Sequence, residues 1–352
     1  MVDVHRFTFP DSPGIITASL NTYYEYYFST KDSWVGWITE RSNAVKLETC
    51  NVYSYSVEQK TLEIGSVKIG GNPGLIPTVM VGSIFYSKDR LVKNAESGEI
   101  DKVGTETMLS QLADISERTG LPSVLDVVAS SPQAMGYYLR YLADATNMPL
   151  LIDGSGSAEV NIAGLETAKD AGLLDRVALN SLTPDDDEAI YSKMEEVGLG
   201  NAIILTFSNV AMTSATKRAE LAVELYGKAN GAGIDNIMFD TGVVDLPTLG
   251  LACRALMMIK DKFGLPVGCG AHNAVAMWNG LVPKFGKDAK TPAFVGSNLM
   301  PVALGADFVL YGPIKHAPVV FPSVAMIDVA LSGSLIEERI RPERPHPRYL
   351  VG

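Results

Sequence analysis

Several apolar runs of this chain end in a polar side chain, and those polar residues are the ones best suited to do chemistry. Residues 266–273 (Pro-Val-Gly-Cys-Gly-Ala-His-Asn) begin like a buried strand, break into glycines and end on a His-Asn pair. The ends of such runs, read in chain order, are Asp126, Asp153, Asn180, Ser208 with Asn209, Asp240 and Asn273. If the runs are parallel strands of one barrel, these side chains meet at one mouth.

Three carboxylates and several amides at one mouth predict a ligand with a flat edge of N–H donors. A carboxylate can accept two adjacent hydrogen bonds, and none of these strand ends carries a lysine or an arginine. The aminopyrimidine edge of a pterin is a ligand of this kind. Two alternatives stay open on residue types alone. Carboxylates without a His or Cys partner suit Mg²⁺, and a single Asp or Asn is often only a helix N-cap, as Asn273 could be for a helix from Ala274.

The elements that must position these residues are alternating strands and helices. From Pro77 onward, eight short apolar runs are separated by helical segments such as 105–119 and 246–263. This alternation predicts parallel strands with crossover helices, and eight such units predict an α/β fold of the (β/α)₈ TIM barrel type. An open doubly wound sheet is the alternative, but no Gly-rich dinucleotide turn follows the first strand.

The barrel domain is predicted to span residues 57–335, with a segment on either side. Residues 57–71 alternate apolar and polar and then turn, which predicts a β-hairpin able to cover the bottom of the barrel. Residues 1–56 form an aromatic-rich extension, predicted to pack on the barrel or on a second copy. Residues 336–352, rich in Arg and Pro, predict an extended tail. The acidic run 185–188 predicts the first turn of a helix.

Composition narrows the classes of function. The formal charge of −11 over 352 residues argues against a nucleic-acid footprint and against an anionic membrane surface. By inspection, no apolar run approaches a membrane span and no signal pattern opens the chain, so we expect no membrane insertion. The three cysteines are scattered without metal-ligand or disulfide spacing. We therefore expect a cytoplasmic protein.

Specific stretches of the chain resemble a known family. They are residues 62–71, Pro73-Gly74, Gly82-Ser-Ile-Phe-Tyr86, Asp126-Val-Val, Leu151-Ile-Asp153, Asn180-Ser181 and Gly268-Cys-Gly-Ala-His-Asn273. Together they resemble the H-subunit family of tetrahydromethanopterin S-methyltransferase, which includes soluble bacterial enzymes that use tetrahydrofolate. The wider group is the pterin-binding TIM barrels.

The resemblance implies an enzyme that moves a methyl group between N5 of a tetrahydropterin and the cobalt of a corrinoid. It places pterin contacts on Asp153, Asn180 and Asp240, to which the strand-end pattern adds Ser208. It places Asn273 at N5 and Asp126 near the cofactor ring, which makes these two the predicted catalytic residues. The sequence has no complete corrinoid-binding motif, so methylcobalamin is expected on a partner corrinoid protein. The long aromatic N-terminus favours a free-standing, homodimeric tetrahydrofolate enzyme.

Other functions remain as alternatives. The first is the H-type component of the membrane-linked tetrahydromethanopterin:coenzyme M methyltransferase itself. A dihydropteroate-synthase-like condensation would need a lysine at the seventh strand, where the chain has Gly268-Cys-Gly-Ala. A zinc-dependent methyltransferase would need a His/Cys/Cys set, whose spacing is absent, and a non-catalytic carrier would need the full corrinoid motif. Beside the main set, His272 and Cys269 are predicted as supporting residues, and His316 as a residue that could line the mouth.

Overall fold

The computed structural model describes residues 53–186 and 188–351, which belong to one compact unit. Residues 1–52, most of the predicted aromatic extension, lie outside the described residues. The described chain begins with a hairpin, β1 (Thr61–Ile64) and β2 (Val67–Gly70), and a second short pair is formed by β4 (Val92–Asn94) and β5 (Glu99–Ile100).

Eight parallel strands close into a barrel, which confirms the predicted fold. In chain order they are β3 (Val79–Ile84), β6 (Ser123–Val128), β7 (Leu150–Asp153), β8 (Val177–Leu182), β9 (Asn201–Leu205), β10 (Asn236–Asp240), β11 (Val267–Cys269) and β12 (Phe308–Pro313). Closure comes from the pairing of β12 with β3, in which Val309 lies opposite Met80. The carboxyl ends of all eight strands therefore meet at one mouth.

Helices connect the strands around the outside. They are α1 (Lys102–Thr119), α2 (Pro132–Ala145), α3 (Ala158–Asp170), α4 (Glu188–Val197), α5 (Ala215–Gly231), α6 (Leu246–Phe263), the short α7 (Asn273–Ala276) and α8 (Leu281–Phe285), α9 (Lys290–Ala303) and α10 (Ala317–Glu337). Side-chain caps explain several starts. Ser131 accepts from the Ala134 N–H, and Asp245 forms a capping box with Thr248.

The β1–β2 hairpin closes the bottom of the barrel, as predicted. Its buried residues Ile64, Val67 and Ile69 pack in one cluster with inward-facing strand residues such as Val79 and Phe308. A second, larger cluster lies between the strands and the helix ring. The hairpin turn contains Gly65, whose φ of +55° suits a residue without a Cβ. The hairpin thus fills the lower end of the barrel interior.

The expectation that no apolar run approaches a membrane span is wrong for one helix. Residues 314–337, most of which form α10, are long and apolar enough to cross a membrane by length and composition. In the structure α10 is the last helix of the barrel ring, and its residues Val320, Phe321 and Val324 are buried. Asp328 on the same face accepts hydrogen bonds from the Thr78 N–H (2.8 Å) and hydroxyl (2.7 Å).

The C-terminal tail does not extend freely from the barrel, which corrects the expectation of an extended tail. The Glu343 N–H donates to the Leu75 carbonyl at 2.9 Å, and the Glu343 carboxylate pairs with Lys68 of the hairpin at 2.8 Å. His346 is fully buried, and the Arg348 guanidinium donates to the Ser332 hydroxyl at 3.0 Å. Sequence composition misses such docking because the partners lie far away along the chain. The proposed division at residues 57 and 335 stays a prediction.

Candidate active site at the barrel mouth

A cavity of about 450 Å³ opens at the carboxyl ends of the strands. Five of the predicted residues lie in its wall: Asp126, Asp153, Asn180, Asp240 and Asn273. No lysine or arginine is among the described residues that line it. The strands bring these five together because four of them lie in the carboxyl-terminal half of their strands and Asn273 lies just beyond the turn that follows β11.

Asp126, within β6, is the most deeply placed carboxylate of the mouth. Its side chain is 3% exposed. One oxygen accepts from the Ser83 hydroxyl at 2.8 Å, and the other accepts from the Asn180 amide at 2.9 Å. Both donors are neutral, so no cation compensates the buried charge, and burial raises the pKa of Asp126.

Asp153, at the end of β7, forms a coupled pair with Asp126. It is less buried and accepts one hydrogen bond, from the Ser155 N–H at 2.7 Å. Burial, followed by repulsion from the Asp126 carboxylate, raises the pKa of Asp153 well above its ordinary value. A carboxyl group with a raised pKa is more readily protonated, and in that form it can donate as well as accept a hydrogen bond.

Asp240, at the end of β10, is anchored by backbone groups. It accepts from the Gly242 N–H at 2.7 Å and from the backbone of Gly270. Burial raises the pKa of Asp240 to about 6, while these N–H groups and the Arg218 guanidinium oppose the rise. The Asp240 carboxyl is therefore mostly ionised at neutral pH.

Arg218, a fully buried residue of α5, fixes the loops that follow β9 and β10. Its guanidinium donates to the carbonyls of Thr241 (2.9 Å) and Gly242 (2.8 Å) on one loop. It also donates to Ala211 (3.1 Å) and Met212 (2.8 Å) on the other. Five guanidinium N–H donors suit a set of converging carbonyls, so Arg218 holds Asp240 and the cavity wall in place without lining the cavity.

Asn273 is the first residue of α7, and it does not act as a helix cap. The cap position is taken by His272, which makes no side-chain capping bond. Within the described residues, no hydrogen bond to the Asn273 side-chain amide is found, although the side chain is only partly exposed at the cavity wall. An unpartnered amide in a polar cavity is available to a ligand.

His272 lines the cavity beside Asn273 and is oriented by the last strand. Its Nδ1 lies 2.9 Å from the Leu310 carbonyl, so Nδ1 carries the proton and Nε2 is the acceptor. Burial lowers the pKa of His272, which favours the neutral ring. The ring packs over Gly312, where a Cβ would lie 2.8 Å from the imidazole. The neighbouring Cys269 is fully buried.

Two predicted residues are not brought to the cavity wall. The Ser208 hydroxyl accepts from the Ala211 N–H at 3.2 Å in a turn, and Phe207 lines the cavity in its place. Since β9 already ends at Leu205, the residues beyond it belong to a turn and do not continue the alternation of the strand. His316 packs on Phe294, with ring centroids 4.6 Å apart, and is likewise absent from the wall.

Sequence reasoning missed several contributing residues. Ser83 and Arg218 act through hydrogen bonds to elements distant in sequence, which no local pattern reveals. The acidic run predicts Asp186 in the first turn of a helix, but α4 begins only at Glu188. Asp186 instead accepts from the Thr183 N–H at 2.5 Å and lines the cavity. Within the described residues, no group of three or more His, Cys, Asp or Glu side chains is arranged to hold a metal ion.

The fold and the site define a class of protein: a closed parallel barrel with a polar ligand cavity at its mouth. Carboxylates and amides line that cavity, and no basic side chain is among the described residues of its wall. The family described as tetrahydromethanopterin S-methyltransferase MtrH subunit matches residues 57–342. The chain belongs to this family, which confirms the resemblance drawn from its motifs.

Two similar proteins have the same name as each other. The H subunit of tetrahydromethanopterin S-methyltransferase from Methanothermobacter thermautotrophicus is 35% identical over 308 residues, covering 85% of this chain and 99% of the relative. The protein of the same name from Methanocaldococcus jannaschii is 33% identical over 318 residues, covering 84% and 98%.

Solved structures of dihydropteroate synthases share the fold. The Coxiella burnetii enzyme in complex with pteroic acid has a TM-score of 0.55 at 11% identity, covering 78% of this chain and 100% of that one. The Yersinia pestis enzyme with a pterine-sulfa conjugate has a TM-score of 0.55 at 12% identity and the same coverage. At such low identity the likeness shows a common barrel architecture alone.

Proposed function

We propose that this protein moves a methyl group between N5 of a tetrahydropterin and a corrinoid cobalt carried by a partner protein. The observation that carries the proposal is one cavity holding three carboxylates, the buried Asp126 and Asp240 and the partly exposed Asp153, beside the unpartnered amide of Asn273. Membership of a methyltransferase family supports the reaction class. The long N-terminus led us to expect tetrahydrofolate as the substrate. The names of the relatives instead favour a tetrahydromethanopterin-type substrate.

The carboxylates bind and orient the pterin. Ionised Asp240 can accept from adjacent N–H groups of the aminopyrimidine edge, which is a charge-assisted and therefore strong contact. Asp126 and Asp153, whose raised pKa values favour protonation, can meet an edge that has both donors and acceptors. Ser83 and Asn180 keep Asp126 in position. Such fixed positioning can contribute several kcal/mol toward the barrier of a displacement reaction.

The Asn273 amide acts at N5. A tertiary amine is a poor leaving group unless it is protonated, and the amide oxygen can accept a hydrogen bond from N5–H⁺ and favour that form. When the methyl group leaves, the N5–methyl bond breaks, its electron pair stays on N5, and the proton already on N5 remains there. In the reverse direction the amide can turn its NH₂ toward the neutral nitrogen. One residue therefore serves both directions without a strong acid or base.

Dihydropteroate-synthase-like condensation finds no support in the cavity. The lysine that such chemistry would need at the seventh strand is replaced by Gly268, where a Cβ would lie only 2.2 Å from the Phe308 carbonyl. No other lysine among the described residues lines the cavity. A shared fold does not carry a shared reaction.

Protein partners are part of the proposal. The relatives are each named as a subunit, which supports a chain that works with other proteins. We propose a corrinoid protein as one partner and a second copy of this chain as another, in the cytoplasm and without membrane insertion. Light scattering at micromolar concentration tests the homodimer, and a monomeric mass would contradict it.

Calorimetric titration tests the pterin site directly. Tetrahydromethanopterin and tetrahydrofolate are titrated side by side into the wild type, Asp153→Ala, Asp240→Ala and the control Ser208→Ala. Loss of one charged hydrogen-bond partner typically costs about 1.5–3 kcal/mol, so each Asp variant should bind at least tenfold more weakly. Ser208→Ala should bind like the wild type because Ser208 lies outside the wall. Unchanged affinity in both Asp variants would refute the assignment, and absorbance at the methylcobalamin bands tests the transfer itself.

A further inference from the structure

A second cleft, of about 350 Å³, opens beside the mouth between the segments that follow β3 and β12. These strands are neighbours in the barrel, and Ser83 lies opposite Pro313. Ser83 and Leu310 line the carboxylate cavity, while Tyr86 and Pro313, three residues further along each segment, line the cleft. The cleft is therefore the outward continuation of the same mouth.

Two cations stand at this cleft, Arg90 and Lys315, and both are exposed. Among the residues that the structure describes, neither forms an ion pair or a hydrogen bond; Lys315 only approaches the Tyr86 ring, at 5.9 Å from its centroid. The carboxylate-lined cavity is different, since no basic residue is in its described wall. A molecule that spans both would meet hydrogen-bond acceptors at one end and positive charge at the other.

Among the described residues of the cleft wall, the one carboxylate is Asp89, and it is used to build the loop. One of its oxygens accepts from the Phe85 N–H at 2.9 Å and the other from the Leu91 N–H at 3.2 Å. The loop is held further by Phe85, whose ring stacks on Tyr138 with centroids 4.3 Å apart. Arg90 is thus presented by a fixed loop, and Asp89 does not neutralise it by direct contact.

The rest of the cleft wall is apolar and aromatic, formed by Tyr86, Leu91, Met108 and Ile314. An aryl group can pack against such a wall, with its substituents directed to the cations. Tetrahydropterin substrates carry an arm of this chemistry on the reduced ring: an arylamine followed by anionic groups. Those groups are carboxylates in tetrahydrofolate, and a phosphate together with carboxylates in tetrahydromethanopterin.

We propose that this cleft binds the aryl tail of the pterin substrate and that Arg90 and Lys315 contact its anionic end. The proposal rests on the proposed function, and it adds a substrate subsite to the carboxylate cavity. The pterin head supplies binding through Asp153 and Asp240, and the tail supplies further affinity through charge. Phosphate and carboxylate share the required chemistry, so the experiment has one arm for each.

The test compares tailed and tailless ligands on matched variants. Tetrahydromethanopterin, tetrahydrofolate and 6-methyltetrahydropterin, which lacks the tail, are titrated into the wild type, Arg90→Ala, Lys315→Ala and the double variant. Lys93→Ala is the control, because Lys93 is an exposed cation of β4 that does not line the cleft. We expect about fivefold weaker binding of a tailed ligand for each single variant. The double variant should lose tenfold or more, with 6-methyltetrahydropterin unaffected throughout.

The comparison of tetrahydromethanopterin with tetrahydrofolate identifies which anionic group of the tail the two cations contact. Weakening for tetrahydromethanopterin alone assigns the cations to the phosphate, and weakening for both tailed ligands assigns them to carboxylates. Raised salt should reduce the affinity of tailed ligands only. The proposal is overturned if the double variant binds tailed ligands like the wild type, or if it loses tailless and tailed ligands equally. Wild-type protein that binds no pterin, tailed or tailless, overturns the proposed function and the tail site with it.

Discussion

Two buried carboxylates at opposite ends of the barrel, Asp307 at the bottom and Asp126 at the mouth, are held in opposite ways. Below, Asp307 is buried and paired: Lys260 donates to its two oxygens at 2.6 and 2.7 Å, and the Val267 N–H donates at 2.9 Å. Above, Asp126 is buried to a similar degree, but its partners are the neutral Ser83 and Asn180. One carboxylate is compensated by a cation, and the other is not.

The paired carboxylate at the bottom contributes to stability, whereas the unpaired carboxylates at the mouth serve the proposed ligand binding. At the bottom, Lys260 is 1% exposed and also donates to the Gly71 carbonyl at 3.1 Å, so it ties α6 to β12 and to the hairpin. At the mouth, buried carboxylates with raised pKa values oppose folding, because desolvated charge lacks a matching cation. A ligand with N–H donors supplies the hydrogen bonds that these carboxylates lack within the protein. Breaking a pair at one end should therefore destabilise the protein, and removing a charge at the other should stabilise it.

The largest effect is expected from Lys260→Met. This variant leaves Asp307 buried without its cation, a change that typically costs about 3–5 kcal/mol of stability. Urea unfolding should show a clearly lower midpoint, with the slope unchanged. The double variant Lys260→Met with Asp307→Asn removes the stranded charge and should recover much of the loss. A single variant as stable as the wild type would contradict the pairing.

The next effect is kinetic and concerns Asn273→Ala. Removing a preorganised polar group that acts on developing charge should slow methyl transfer by about 10²–10³-fold, while pterin affinity falls less. Asn273→Asp and Asn273→Ser keep a polar group but not the adaptable amide, so both should fold normally and remain slow. Stopped-flow absorbance of the corrinoid, read beside calorimetry, separates rate from binding. Near wild-type turnover in either variant would remove Asn273 from catalysis.

The sequence predicted most of this comparison at the mouth and little of it at the bottom. Strand–helix alternation and terminal polar residues located Asp153 and Asp240, which end their strands, and Asn273, which follows the glycine-rich turn after β11; all three are local signals. The Lys260–Asp307 pair is invisible to such reasoning, since its members are 47 residues apart along the chain. The role of Arg218 was missed for the same reason. The sequence also failed to predict which residue after β9 faces the cavity, since Phe207 lines the wall and Ser208 does not.

The docking of the tail and the identity of α10 show a second limit. The run of apolar residues in α10 fits a buried barrel helix and a membrane span equally well by composition. Only the contacts of Phe321 and of Asp328, which binds Thr78, show that this helix packs on the barrel. Hydrophobic periodicity locates helices and strands in the sequence. Which face of each helix is buried, and against what, depends on packing partners that are distant in sequence.

The smallest effect, and the most direct test of the mouth, is the pH dependence of Asp240→Asn. Burial raises the pKa of Asp240 from 3.8 to about 6, even though Arg218 and two backbone N–H groups lower it. The folded protein therefore holds the proton more tightly than the unfolded chain. Wild-type stability should fall as pH rises from about 4 to 6, and the loss should be complete above that window.

Asparagine keeps the oxygen that accepts from the Gly242 N–H and removes the titrating charge. A shift of this size corresponds to at most ~3 kcal/mol, so Asp240→Asn should raise Tm by a few degrees at pH 7.5. The gain should shrink through pH 6 to 4 and vanish near pH 3.5, where both proteins are neutral at this position. Thermal melts across this range check the sign, and Asp245→Asn, an exposed capping residue, is the control. A loss of stability at pH 7.5, or a gain that persists at pH 3.5, would mean that the mouth is as well compensated as the bottom.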